Sequence, residues 1–243
     1  MKNIIMKAEK PVRGGEKMKR MIITIFIISL FVLVGCQQNP SEKVLHYEAN
    51  NEIIGTEKDE IIGDVSDTIY ESIDRSNSEA EEMMVGPVER EGEEVTPSKG
   101  RYTISGGLSG RVVISDEQGN LLLEEILDQA YGVQSVTVDL NGSHSVYFDG
   151  VEEAMISPAQ TNFSNELSAG IWEVGKDIEA GDYSVMAASE QAFGDLMIFE
   201  EGESTRLYEI IDTSPESMIE VSLEDGQKVK ISGLAFLEFK PKS

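Results

Sequence analysis

The chain has 243 residues, with 45 Asp and Glu against 20 Lys and Arg, two His, one Cys and one Trp. That length holds one domain or two small ones and excludes a large multidomain enzyme. A net charge of -25 excludes a nucleic-acid binder, because phosphates need a Lys/Arg stripe to displace their counterions. One cysteine excludes an internal disulfide framework and any multi-Cys zinc or iron–sulfur site.

Residues 21–34, MIITIFIISLFVLV, form an uncharged apolar run of 14 residues after Lys17, Lys19 and Arg20. This is short of the ~20 residues a spanning helix needs. A basic stretch followed by an apolar run of this length is the pattern of a secretory signal peptide. Residues 1–17 fit no part of that pattern, and we expect translation to begin at Met18, which opens the compact start Met18-Lys19-Arg20-Met21.

The run ends in Leu33-Val34-Gly35-Cys36, where the single cysteine stands. This tetrapeptide resembles a bacterial lipobox. The resemblance implies a lipoprotein: cleavage between Gly35 and Cys36, and a diacylglycerol with palmitate-class chains on the Cys36 sulfur. The protein would then be anchored to membrane lipid on the outer side of the cell membrane. Two acyl chains at ~0.8 kcal/mol per buried CH₂ make such an anchor nearly permanent, which one chain does not. The bland reading is an uncleaved membrane anchor with an incidental thiol.

Loss of residues 1–35 removes seven Lys and Arg and two Asp and Glu, which leaves a charge of -30. Residues 37–94 carry 17 acidic and four basic side chains. That composition predicts an acidic, mostly disordered linker over 36–94, roughly 40–45 Å in r.m.s. span. Within it Ile54, Ile61, Ile62, Val65, Ile69 and Ile73 recur at helical steps, while Gly55 and Gly63 oppose a helix. Both a short amphipathic helix over 57–74 and a weakly helical linker remain open.

From Gly100 the texture becomes short alternating runs with Gly, Asn and Asp between them. Tyr102–Ile104, Arg111–Ile114, Val136–Val138 and Ser145–Phe148 read as strands, with turns at Gln118-Gly119-Asn120 and Asn141-Gly142. Asp182–Val185, Leu196–Phe199, Ile219–Val221 and Lys228–Ile231 follow in the same order. Gly100, Tyr102 and Ile104 align with Gly181, Tyr183 and Val185, and Leu123, Asn141 and Gly142 with Leu207, Asp225 and Gly226. We expect an all-β protein with two homologous antiparallel units, each a small sandwich or barrel: a degenerate copy over 95–162 and a second over 170–243. Leu121–Gln129 could pass for a helix, but its counterpart over 205–211 reads as a strand, so both are taken as strands.

The second unit opens with Trp172-Glu173-Val174-Gly175-Lys176-Asp177-Ile178-Glu179-Ala180-Gly181-Asp182-Tyr183. This resembles a W-x-V-G-x-D-I-x-A-G-x-Y segment of secreted and lipid-anchored Gram-positive proteins of unassigned activity. Trp172, Gly175, Asp177, Gly181 and Tyr183 are its marker positions. From the residues alone, Trp172 is expected to pack in the core or at a domain edge rather than to form a ligand platform.

Other chemical patterns are incomplete. Gly170, Gly175 and Lys176 have phosphate-loop spacing, but Asp177 replaces the Mg²⁺-binding Ser/Thr and would repel phosphate. Ser109 fails the G-x-S-x-G elbow because Arg111 follows Gly110. His46 falls in the linker, and His144 reads as a solvated turn residue. Asp139-x-Asn141-Gly142 begins like a calcium loop without its remaining ligands. No cofactor and no dedicated metal are expected, only weak divalent-cation binding by the acidic surface. The resulting expectation is a non-catalytic envelope protein with a protein or cell-wall partner; the alternative is a secreted hydrolase that uses paired acidic residues on wall material.

Overall fold

The computed structural model describes residues 44–45, 55–130, 133–188, 193–202, 207–212 and 218–242. Gly35, Cys36, His46 and the apolar run over 21–34 lie outside the described residues. The protein is almost all β, with two sheets and no closed barrel among the described residues. None of the described helices is long and apolar enough to cross a membrane.

Chain order begins with helix α1 (Thr56–Ile62) and a 3-10 turn (Asp67–Tyr70). Then come β1 (Met83–Val85), β2 (Glu93–Val95), β3 (Gly100–Gly106), β4 (Gly110–Ser115) and β5 (Leu121–Leu127). Next are β6 (Ser135–Leu140), β7 (Ser145–Asp149) and β8 (Ala154–Pro158). The second half holds β9 (Glu166–Glu173), β10 (Gly181–Ala187), β11 (Phe193–Phe199), β12 (Leu207–Asp212), β13 (Ile219–Leu223) and β14 (Lys228–Pro241). All eight strand-like runs read from the sequence are strands, and so are Leu121–Leu127 and Leu207–Asp212.

One sheet runs β1-β8-β3-β6-β9-β14-β10-β13, with β11 and β12 joined through β14; the other runs β2-β7-β4-β5. The pairings of the two halves coincide. Gly100 faces Leu140 and Tyr102 faces Val138 across β3–β6, as Gly181 faces Leu223 and Tyr183 faces Val221 across β10–β13. Gly110 faces Leu127, as Gly194 faces Ile211. Ile114 faces Val146, as Ile198 faces Val229. Tyr102 faces Pro158, as Tyr183 faces Pro241. In the second half β14 does the work of both β7 and β8 in one strand, with a register shift between Ile231 and Phe236.

Alternation puts one face of each strand inside. Tyr102, Ile104, Val112, Ile114, Leu123, Val136, Phe148 and Ile156 fill the first core; Tyr183, Val185, Leu196, Ile198, Val221, Val229, Ile231 and Phe239 fill the second. Ile171, Met197, Phe199 and Tyr208 of the second half pack into the first cluster instead. The halves also touch backbone to backbone, where β9 runs parallel to β6 at Gly170 and Thr137. A Cβ on Gly170 (φ +135) would collide with the Thr137 backbone, so only glycine permits this approach.

The segment expected to be linker as far as Glu94 behaves differently from residue 55 on. Helix α1 ends at Gly63 (φ 66) rather than running to 74, and Ile69 and Ile73 are buried from a 3-10 turn and extended chain. Met83–Val85 and Glu93–Val95 are strands whose brevity and acidic flanks hid them; β8 and β7 supply their pairing.

Candidate functional site

The polar groups of the described chain converge where residues 66–77 lie across the junction of the two halves. Ser66 donates to Asp116 Oδ2 at 2.6 Å, and its N–H reaches the Leu121 carbonyl at 2.8 Å. Lys228 Nζ donates to the Glu71 carbonyl at 3.0 Å. Asn77 Nδ2 donates to the Ala159 carbonyl at 2.7 Å, while its Oδ1 accepts the Arg101 N–H at 2.9 Å.

Between these anchors lies a buried ionic cluster. Arg75 Nη2 is 2.7 Å from Asp139 and Arg75 Nη1 is 2.8 Å from Asp177; the Arg75 side chain is 6% exposed. Arg101, fully buried on β3, reaches Asp139 at 2.9 Å and Asp177 at 3.0 Å. Lys228 pairs with Glu173 at 2.6 Å, and Lys176 with Glu173 at 3.2 Å. Ser72 donates to both Glu173 oxygens and contacts Lys176 Nζ. Burial alone would raise the Glu173 carboxyl, but the hydrogen bond and charge of Lys228, with Lys176 and Ser72, hold it below the ordinary range. Burial works against the Arg75 charge too, yet Asp139 and Asp177 outweigh it and raise the guanidinium. Every cation of the cluster has a carboxylate within 3.2 Å; removal of one partner from such a set typically costs about 3–5 kcal/mol.

A small pocket opens beside the cluster, lined by Glu71, Arg75, Asp139, His144, Trp172 and Lys228 among others, with a volume of ≈ 20 Å³. That is room for about one water molecule. His144 lines it and is 2% exposed, which corrects the expectation of a solvated turn residue. Its Nδ1 accepts the Asn141 N–H at 3.3 Å, which places the proton on Nε2, 2.8 Å from Thr68 Oγ1. Burial pushes this imidazole down, so it is neutral and ties the β6–β7 turn to the 3-10 turn.

The marker residues of the Trp172–Tyr183 segment have separate jobs. Trp172 donates from Nε1 to the Ser168 carbonyl at 2.7 Å, and its ring lies 4.8 Å from the Arg101 guanidinium carbon. Gly175 (φ 87) turns the chain, and its N–H bonds the Ile178 carbonyl at 2.8 Å. Asp177, 1% exposed, accepts the Glu173 N–H at 2.8 Å and offers its other oxygen to both arginines. Gly181 (φ 156) starts β10. Tyr183 closes the segment by donating to the Glu179 carbonyl at 2.8 Å, as Tyr102 does to Ser98 at 2.9 Å.

The weaker patterns have structural occupants. Lys176 of the phosphate-loop spacing is paired with Glu173. Asp139 of the calcium-like stretch is paired with two arginines, and the Asn141 Oδ1 accepts from Ser143 and His144. No metal-holding group of three or more His, Cys, Asp or Glu occurs among the described residues. Sequence reasoning missed Arg75, Arg101 and Lys228. Arg101 and Lys228 stand in strands beside the apolar Tyr102 and Val229, a weak signal that the exposed Arg111 and Lys240 share, and Arg75 lies outside any strand and gave none.

No family model matches this chain, and no curated protein matches it. Nothing positive among the described residues indicates catalysis: the junction carboxylates are ion-paired, its histidine is neutral and hydrogen-bonded, and its pocket is water-sized.

Proposed function

We propose that this is a lipid-anchored, non-catalytic protein of the cell envelope, carried on the outer face of the membrane by Cys36. Its two homologous β units, held as one body, present a surface to a protein or cell-wall partner, with weak divalent-cation binding by the acidic exterior. The observation that carries the non-catalytic part is the junction itself, where Arg75, Arg101, Lys176 and Lys228 are each matched to Asp139, Glu173 or Asp177. At this junction each carboxylate faces a cation, which leaves none there placed as the general acid or base of a catalytic pair. The anchor is supported by the placement of the one thiol directly after an apolar run and Leu33-Val34-Gly35.

The test is to feed cells an alkyne-bearing fatty acid and follow the full-length protein. The expected result is label and membrane fractionation in the wild type, with loss of both in C36S. Unlabelled protein in the cytosol contradicts the address. Hydrolysis of purified wall glycan or peptide by the wild type, abolished by substitution of one acidic pair, contradicts the non-catalytic reading.

A further inference from the structure

A second group of ionisable side chains lies in the seam between the halves, apart from the arginine cluster. Asp195 of β11 faces Ser232 of β14, and Met197 faces Lys230, so Asp195 and Lys230 are diagonal neighbours on one face. Met197, Tyr208 and Ile171 share that face and pack into the core of the first half. Glu125 of β5 reaches into the seam from the other side: its Oε2 accepts the Gly233 N–H at 2.9 Å, and its Oε1 accepts the Ile126 N–H at 3.0 Å. Glu125 is 8% and Lys230 7% exposed.

In the arginine cluster every cation has a carboxylate within 3.2 Å, whereas here two carboxylates share one ammonium. Asp195 Oδ1 is buried with no hydrogen-bond partner. Tyr208 on β12 lies near Asp195, and the exposed Glu124, which pairs with Arg111 at 3.1 Å, lies near Lys230. Glu209 lies opposite Leu196, on the other face. Two carboxylates and one ammonium in a seam of this kind leave one surplus negative charge, and low-dielectric surroundings favour its loss.

The geometry points to a proton-operated clasp: uptake of one proton by the Glu125–Asp195 pair neutralises the seam and tightens the two halves onto each other. Burial, with Glu125 nearby and Lys230 opposing, raises the Asp195 carboxyl to about 6. Burial raises Glu125 as well and lowers Lys230. A carboxyl raised on folding stabilises the closed form below its unfolded value and loses that contribution as pH climbs through the folded one. The clasp is therefore tight in mild acid and looser above neutrality. This device stands on the seam alone and does not depend on the lipid anchor.

The test is amide hydrogen exchange of Gly233 in the full chain at pH 5 and pH 7.5, corrected for intrinsic exchange. With a folded value of about 6 against about 3.9 in the open form, the opening constant of the wild type rises about tenfold over that range. In D195N the rise is several-fold smaller, and opening at pH 7.5 falls below that of the wild type. Equal slopes in the two proteins overturn the proposal. Should D195N not fold, the Asp195 carboxyl carbon can be titrated by NMR in the wild type: a midpoint near 6 supports the clasp, and one near 4 overturns it.

Discussion

The two halves share pairing registers, yet only one side of each takes part in the junction, and the residues at matching positions differ accordingly. Arg101 and Asp139, which face each other in the first half, correspond by register to Asp182 and Ser222 in the second. In the first pair Arg101 is buried beside Trp172 and Asp139 is half-buried; both members of the second are exposed. Thr137, in contact with Gly170, corresponds to Glu220, which pairs with Lys242 at 2.6 Å on an open edge. Charged side chains on such an edge discourage further strand pairing. In the other direction, Trp172 and Gly170 correspond to Val95 and Glu93. The turn from Trp172 to Gly181 is four residues longer than that from Val95 to Gly100, and the extra length carries Lys176 and Asp177. The fold is thus repeated, whereas the docking surfaces occur once each. Identical topology does not confer identical surfaces; what each face meets decides its residues.

Substitutions at matched positions break or sharpen this contrast. The largest effect is expected from R101M, which leaves Asp139 and Asp177 short of a buried partner: about 3–5 kcal/mol lost in denaturant unfolding. Its counterpart D182N is expected within about 0.5 kcal/mol of wild type. An equal loss from both would erase the distinction between the two faces. Next comes G170A, whose added methyl must push β9 off β6, at a cost of about 1–3 kcal/mol by the same assay. E93A, at the corresponding position, is expected to be nearly silent.

Where the halves agree, the effects should agree too. Y102F and Y183F each lose the hydroxyl hydrogen bond to a carbonyl four residues earlier, at about 1 kcal/mol; Tyr102 also accepts the Glu81 N–H at 3.3 Å, so Y102F is expected to cost the more of the two. The last effect is read in acid and concerns Asp116, whose carboxyl is lowered to about 2 by the Ser66 hydroxyl, with Asn120 and Gln118 adding to it against burial. A depressed carboxyl contributes above its unfolded value and loses that contribution as pH falls through the folded one. Acid titration of the wild type is therefore expected to lose stability between about pH 4 and pH 2. D116N is expected to lose less over that window, and parallel acid curves would remove Asp116 as a tie.

Most of the strands were legible because alternation and glycine turns are local signals: Tyr102-Thr103-Ile104 and Asp182–Val185 declare themselves in a few residues. The repeat was legible for the same reason, through Gly100 and Tyr102 against Gly181 and Tyr183. What could not be read was anything made of partners distant in sequence. Arg75 meets Asp177 across 102 residues, and Glu125 meets Gly233 across 108. No window of sequence contains both members. The early strands β1 and β2 failed on a related ground, since three residues hold no period and their strand character comes from Ile156 and Phe148 opposite. His144 looked solvated because its cover, Thr68, lies 76 residues upstream.

A double-mutant cycle on Arg101 and Asp177, read by equilibrium denaturation of wild type, R101M, D177N and the double variant, tests the account most directly. Should the ionic junction bind the halves and residues 66–77 into one body, the wild type unfolds in a single transition with coupling between the two sites of about 1–3 kcal/mol. Additive losses, or two separate transitions in the wild type, would show that these charges do not hold the body together.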